Sequence, residues 1–154
     1  MTRDLWLDDF RPGQRFRTAG ATLSEGQIMA FAFEWDPQPF HIDKLAAAES
    51  PYGGIIASGF HTLLVAFRLI LQERIFNAAS MGSPGMEEIR WLLPVRPDDT
   101  LHVEAEVLEV RPSKSRPDRG TARIAYAVSN QHGETVMTFI IRHILRRAAT
   151  GRSD

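Results

Sequence analysis

The stretch from Ser58 to Phe76, SGFHTLLVAFRLILQERIF, decides the fold. Ser58 has the chemistry of a helix N-cap, and the run after it holds no proline, so the spacing predicts a long helix over 59–76. Phe60, Leu63, Leu64, Phe67, Ile70 and Leu71 fall on nearly every side of that helix. A helix that is apolar all round has to be wrapped by other elements. It is not a membrane span, because His61, Arg68, Gln72, Glu73 and Arg74 interrupt it and it is too short.

The second half of the chain supplies the wrapping. A short strand is expected over 88–93, ended by Pro94. A second, over 101–110, begins with clear alternation: Leu101, Val103, Ala105 and Val107 face one way, His102, Glu104 and Glu106 the other. A third is expected over 121–129, after a polar loop at 111–120. Asn130-Gln131-His132-Gly133 is a hairpin turn signal, and a β-rich run over 134–145 follows. Consecutive strands with short connections pair antiparallel. The expected class is α+β: a curled antiparallel sheet wrapped around one long buried helix, forming a single domain over 1–147 with a polar tail at 148–154.

Lys and Arg number 18 and Asp and Glu 19, a formal net charge of -1, so no electrostatic case exists for a nucleic-acid partner. Cysteine is absent, which excludes disulfides, thiol nucleophiles and Cys-ligated zinc and suits a reducing compartment. The first residues, MTRDLWLDDF, are acidic and lack an apolar core, so no signal peptide is expected and a cytoplasmic location is. His102, His132 and His143 show no ligand spacing, and no metal site is expected.

The chemistry concentrates in Asp36-Pro37-Gln38-Pro39-Phe40-His41. Ser24-Glu25-Gly26-Gln27 reads as a capping box, and Ile28, Phe31, Ala32 and Trp35 follow at helical spacing. Pro37 stops that helix and leaves Asp36 at its C-terminal end, where the helix dipole disfavours a carboxylate. An acid and an imidazole joined by a stiff connector are placed to share one water or one substrate proton. The alternative is a turn with an Asx-type hydrogen bond and a merely satisfied histidine. Asp43 reads as the N-cap of a short helix.

These motifs resemble the hotdog-fold MaoC-like dehydratases, which include the (R)-specific enoyl-CoA hydratases. The resemblance rests on Asp36-Pro37-Gln38-Pro39-Phe40-His41-Ile42-Asp43, on Tyr52-Gly53-Gly54 and on Ile56-Ala57-Ser58-Gly59. It continues in Pro94-Val95-Arg96-Pro97-Asp98-Asp99-Thr100-Leu101 and Asn130-Gln131-His132-Gly133-Glu134. Three positions depart from the family pattern: Gln38 stands for Asn, Trp35 for Gly and Phe40 for an aliphatic residue.

The resemblance implies a hydro-lyase that adds water to trans-2-enoyl-CoA, or removes it from (R)-3-hydroxyacyl-CoA, without a cofactor; CoA enters as part of the substrate. Asp36 would act as base with His41 as its partner. The Gly59 N–H at a helix N-terminus would take the thioester oxygen, with Ser58 beside it, as cap or as substrate contact. Trp35, Gln38, Phe40 and His61 are candidates for the pocket wall, with a core role open for His61, Trp35 and Phe40. In the loop at 111–120, Lys114, Arg116 and Arg119 suit the phosphates of CoA, or simply form a solvated hairpin loop.

Two other functions fit the same fold. One is a hotdog acyl-CoA thioesterase, in which Asp36 would direct water at the thioester carbonyl; the other is a non-catalytic acyl-CoA-binding subunit. All three imply self-association, as a homodimer or a multiple of it, because one helix under a curled sheet leaves a sheet edge open.

Overall fold

The computed structural model describes residues 4–149. Six antiparallel strands form one sheet, and a long helix lies across its inner face. The strands are β1 (Arg15–Arg17), β2 (Ala21–Thr22), β3 (Gly85–Trp91), β4 (Thr100–Pro112), β5 (Arg119–Ser129) and β6 (Thr135–Arg146). The order is β1-β4-β5-β6-β3, with β2 paired to the other part of β4. The helices are α1 (Glu25–Trp35), α2 (Pro39–Ile42), α3 (Lys44–Glu49) and α4 (Gly59–Gln72). This is the α+β hotdog arrangement that the motifs implied. No helix among the described residues is long and apolar enough to cross a membrane.

Alternation builds the sheet. Along β5, Ala122, Ile124, Tyr126 and Val128 are buried, and the residues between them are partly exposed. The inward rows of β4, β5 and β6 meet Ala66, Leu69 and Ile70 of α4 in one continuous core. Asn130 closes the β5–β6 turn: its side chain accepts from the N–H groups of His132 and Glu134, and Gly133 takes φ 75.

Several boundaries differ from the reading of the chain. The long helix ends at Gln72 rather than Phe76, because Arg74 turns into the left-handed region at φ 53 and Asn77 Nδ2 donates to Leu71 O at 2.8 Å. Ile75 and Phe76 then point into the core from the following turn. The loop at 111–120 shrinks, since β4 runs to Pro112 and β5 starts at Arg119. Strands β1 and β2 are too short to show a period, so pattern reading passed over them.

The helix is also less enclosed than its composition implied. Phe60 and Leu64 of α4 are 60% and 55% exposed in the single chain, and Phe60 meets Trp91 at the end of β3. At the other end, residues 150–154 of the expected tail lie outside the described residues. Ala148, the tail's expected start, is tied down: its N–H donates to Asp8 Oδ2 at 2.9 Å, and Arg147 Nε donates to Asp8 Oδ1 at 2.9 Å.

His143 is 3% exposed and packs against the Phe76 ring, with Nε2 at 2.7 Å from Tyr126 Oη. Burial pushes its imidazole down to about 4. The native state therefore keeps His143 neutral while the unfolded chain, titrating near 6.5, takes up a proton. The sign follows: stability falls as pH drops from 6.5 towards 4, by about 3 kcal/mol from this group alone. Replacing the pair together (Y126F/H143F) should flatten that slope in urea unfolding measured across the window. An unchanged slope would refute the assignment.

Candidate active site

The site is assembled where three helix ends meet. The capping box of α1 forms as read, with Ser24 Oγ accepting from Gln27 N and Gln27 Oε1 accepting from Ser24 N. At the other end Asp36 is the C-cap, its N–H donating to Ala32 O at 2.9 Å. Pro37 cannot continue the ladder. The chain turns, and Pro39 opens α2 at its first position, where a missing N–H costs nothing. The segment between acid and histidine is thus a break followed by a new helical turn, and that turn buries His41 to 4% exposure.

His41 is oriented by backbone. Its Nδ1 lies 2.7 Å from Ile56 O, and a carbonyl oxygen only accepts, so Nδ1 carries the hydrogen. That leaves Nε2 as the nitrogen available for proton transfer, and it faces Asp36 Oδ2 at 3.3 Å. The same Oδ2 accepts from Ser58 Oγ at 2.6 Å, while Gln38 Nε2 donates to Oδ1 at 2.7 Å. Burial pulls the Asp36 carboxyl up. The Ser58 and Gln38 hydrogen bonds and the His41 ring outweigh it, so the group sits below the ordinary aspartate range. These donors offset the unfavourable placement at a helix C-terminus.

Ser58 has both jobs that its sequence allowed. Its Oγ accepts from Phe60 N at 3.3 Å as the N-cap of α4 and donates to Asp36. Gly59 opens α4, so its N–H is one of the donors that the helix leaves unpaired. Asp36, Gln38, Phe40, His41 and Gly59 line one cavity of about 320 Å³, closed by Trp91 and Tyr52.

Other expected wall residues lie elsewhere. Trp35, the last residue of α1, is 69% exposed and stands outside the cavity. His61 points to a separate cleft between α1, β2 and α4, stacked on Phe31 at 4.5 Å. The basic loop is at the far end of the sheet. Arg119 pairs with Arg146, whereas Trp91 pairs with Met137, and the nine residue steps of β6 from one point to the other span roughly 30 Å. Lys114, Arg116 and Arg119 therefore do not reach this protomer's cavity, and the Arg119 guanidinium is held by Asp118 at 2.9 and 3.1 Å. Asp43 caps α3, accepting from Leu45 N and Ala46 N. Among the described residues no group of three His, Cys, Asp or Glu converges on a metal position.

The sequence reading missed Ile56 and Trp91. The Ile56 contribution is a backbone carbonyl, which no residue type announces. Trp91 ends a strand, and only pairing brings it to the helix.

A curled sheet on one helix, with an acid–histidine pair beside the helix N-terminus, defines a hotdog protein with a candidate acid–base site. The chain belongs to the MaoC-like family: the model of the MaoC like domain matches residues 9–129. It is 35% identical over 125 residues to the uncharacterized protein YdeM of Bacillus subtilis, covering 81% of this chain and 87% of that protein. The crystal structure of a MaoC-like dehydratase from Rhodospirillum rubrum superposes with a TM-score of 0.86 at 40% identity, covering 94% of this chain and 99% of the other. The (R)-hydratase PhaJ1 of Pseudomonas aeruginosa shares the fold at a TM-score of 0.76 and 24% identity, with 99% and 94% covered.

Removing either donor, by Gln38→Leu or Ser58→Ala, should raise the Asp36 carboxyl titration, followed by carbon NMR of the labelled side chain. A titration identical to wild type in both variants would show that neither hydrogen bond governs the carboxylate.

Proposed function

We propose that the protein is a hydro-lyase acting on acyl thioesters, interconverting trans-2-enoyl-CoA and (R)-3-hydroxyacyl-CoA. One observation carries the reading: Asp36 Oδ2 and His41 Nε2 face each other 3.3 Å apart in a cavity that Gly59, the first residue of α4, also lines. Membership in the MaoC-like dehydratase family supports it.

The chemistry follows from the atoms. A water held between Asp36 Oδ2 and His41 Nε2 gives a proton to this pair as its oxygen bonds to C3 of the enoyl group. The double-bond electrons move towards the thioester, whose oxygen gains negative charge and accepts from the Gly59 N–H. A proton from the pair then goes to Cα, so water is added across the bond and the enzyme ends as it began. Ser58 and Gln38 hold the carboxylate still throughout and never enter the substrate.

Purified protein mixed with a short trans-2-enoyl-CoA should consume the enoyl ultraviolet absorbance and yield the (R)-3-hydroxy product on chiral analysis. Asp36→Asn and His41→Ala should each lower kcat by about 10²- to 10⁴-fold, with folding checked by circular dichroism. Thiol release from a saturated acyl-CoA in place of hydration would select the thioesterase alternative.

We also propose that the working form is a homodimer or a multiple of it. β3 has a partner strand on one side only, and Met86, Ile89, Leu92, Phe60 and Leu64 stand exposed. Light scattering at micromolar protein should give at least twice the 17.3 kDa chain mass, and Leu64→Glu should reduce it. A wild-type monomer would contradict this.

A further inference from the structure

Trp91 is packed directly on the first turn of α4. Its indole Nε1 donates to Gly59 O at 2.9 Å, and its ring stands edge-on to Phe60 with centroids 5.9 Å apart. It also occupies the volume that a side chain at position 59 would need: a Cβ built on Gly59 would lie under 3.0 Å from Nε1, Cε2 and Cδ1 of the ring. The glycine is therefore matched to the indole and not only to an approaching ligand. Trp91 reaches this place from the end of β3, past an irregularity between Glu87 and Arg90 at which Glu88 takes φ 49. A non-glycine residue in that region marks a bend held by its surroundings.

Glycine has the widest backbone freedom of any residue. The Gly59 N–H shares a peptide plane with Ser58 O, which accepts from Thr62 N at 3.1 Å, and the plane on the other side of its Cα is the one Trp91 holds. Transition-state donors act through fixed aim. We infer that Trp91 is a positioning residue of the thioester-oxygen site: it fills the Gly59 side-chain volume and holds the Gly59 carbonyl, so that the second of the two peptide planes meeting at Gly59 is pinned as well as the first. The ring also lines the cavity. Through this contact the edge strand β3 and the catalytic helix end act as one unit. The inference rests on the hydratase reading for its kinetic consequence but not for its structural one.

The test uses Trp91→Phe, which keeps a ring and removes the indole donor, and Trp91→Ala, which removes both. With enoyl-CoA as substrate, kcat should fall about tenfold in the first and about 10²-fold in the second, with a much smaller change in KM for Trp91→Phe. In 15N-labelled protein the Gly59 amide resonance should move and exchange faster with water in both variants, while amides in the middle of α4 stay put. Gly59→Ala alone should lose folded protein, and Gly59→Ala combined with Trp91→Ala should recover it. Wild-type kcat together with an unmoved Gly59 resonance in Trp91→Phe overturns the inference. If the wild-type protein hydrates no enoyl thioester, the hydratase reading fails, and the Gly59 resonance alone then decides whether Trp91 holds that amide.

Discussion

The Ser58 hydroxyl joins the two halves of the site. As acceptor it caps α4 through Phe60 N, and as donor it holds Asp36 Oδ2 at the far end of α1. A hydroxyl has one hydrogen and two lone pairs, so it serves both without conflict. Because the residue is fully buried, neither bond competes with water. This one group places a carboxylate from a helix C-terminus against a helix N-terminus, and those are the two ends the proposed hydration chemistry needs close together.

Around it, each side chain of the site is held by something that does no chemistry. The Ile56 carbonyl decides which nitrogen of His41 faces the acid. Gln38 occupies the second carboxylate oxygen. The family pattern has Asn at this position; the Gln of this chain reaches the carboxylate at 2.7 Å. The cavity itself depends on the sheet, because β3 carries Trp91 to the helix start.

Much of the local structure was legible. The capping box at Ser24, the Asp43 cap, the alternation of β4 and β5 and the break at Pro37 follow from short-range rules, and each forms. Failures cluster where pattern rules lack a signal. β1 and β2 are too short to have a period, and α4 stops early because Arg74 adopts a conformation that a helical apolar pattern does not forbid. The basic loop looked suited to phosphate, yet strand length puts it at the opposite end of the sheet from the cavity. His61 lies one helix position too far round to see Asp36.

By itself the sequence determined the helix that needs wrapping, the strands that wrap it, and an acid–histidine pair set apart by two prolines, because periodicity, capping and proline geometry act over a few residues. Only the tertiary structure decided what those residues face. The tautomer of His41, the Ser58 donor on Asp36 and the indole filling the Gly59 volume all come from partners 15 to 32 positions away in the chain. Long-range pairing of that kind is set by how the sheet curls over α4, and no local spacing encodes it.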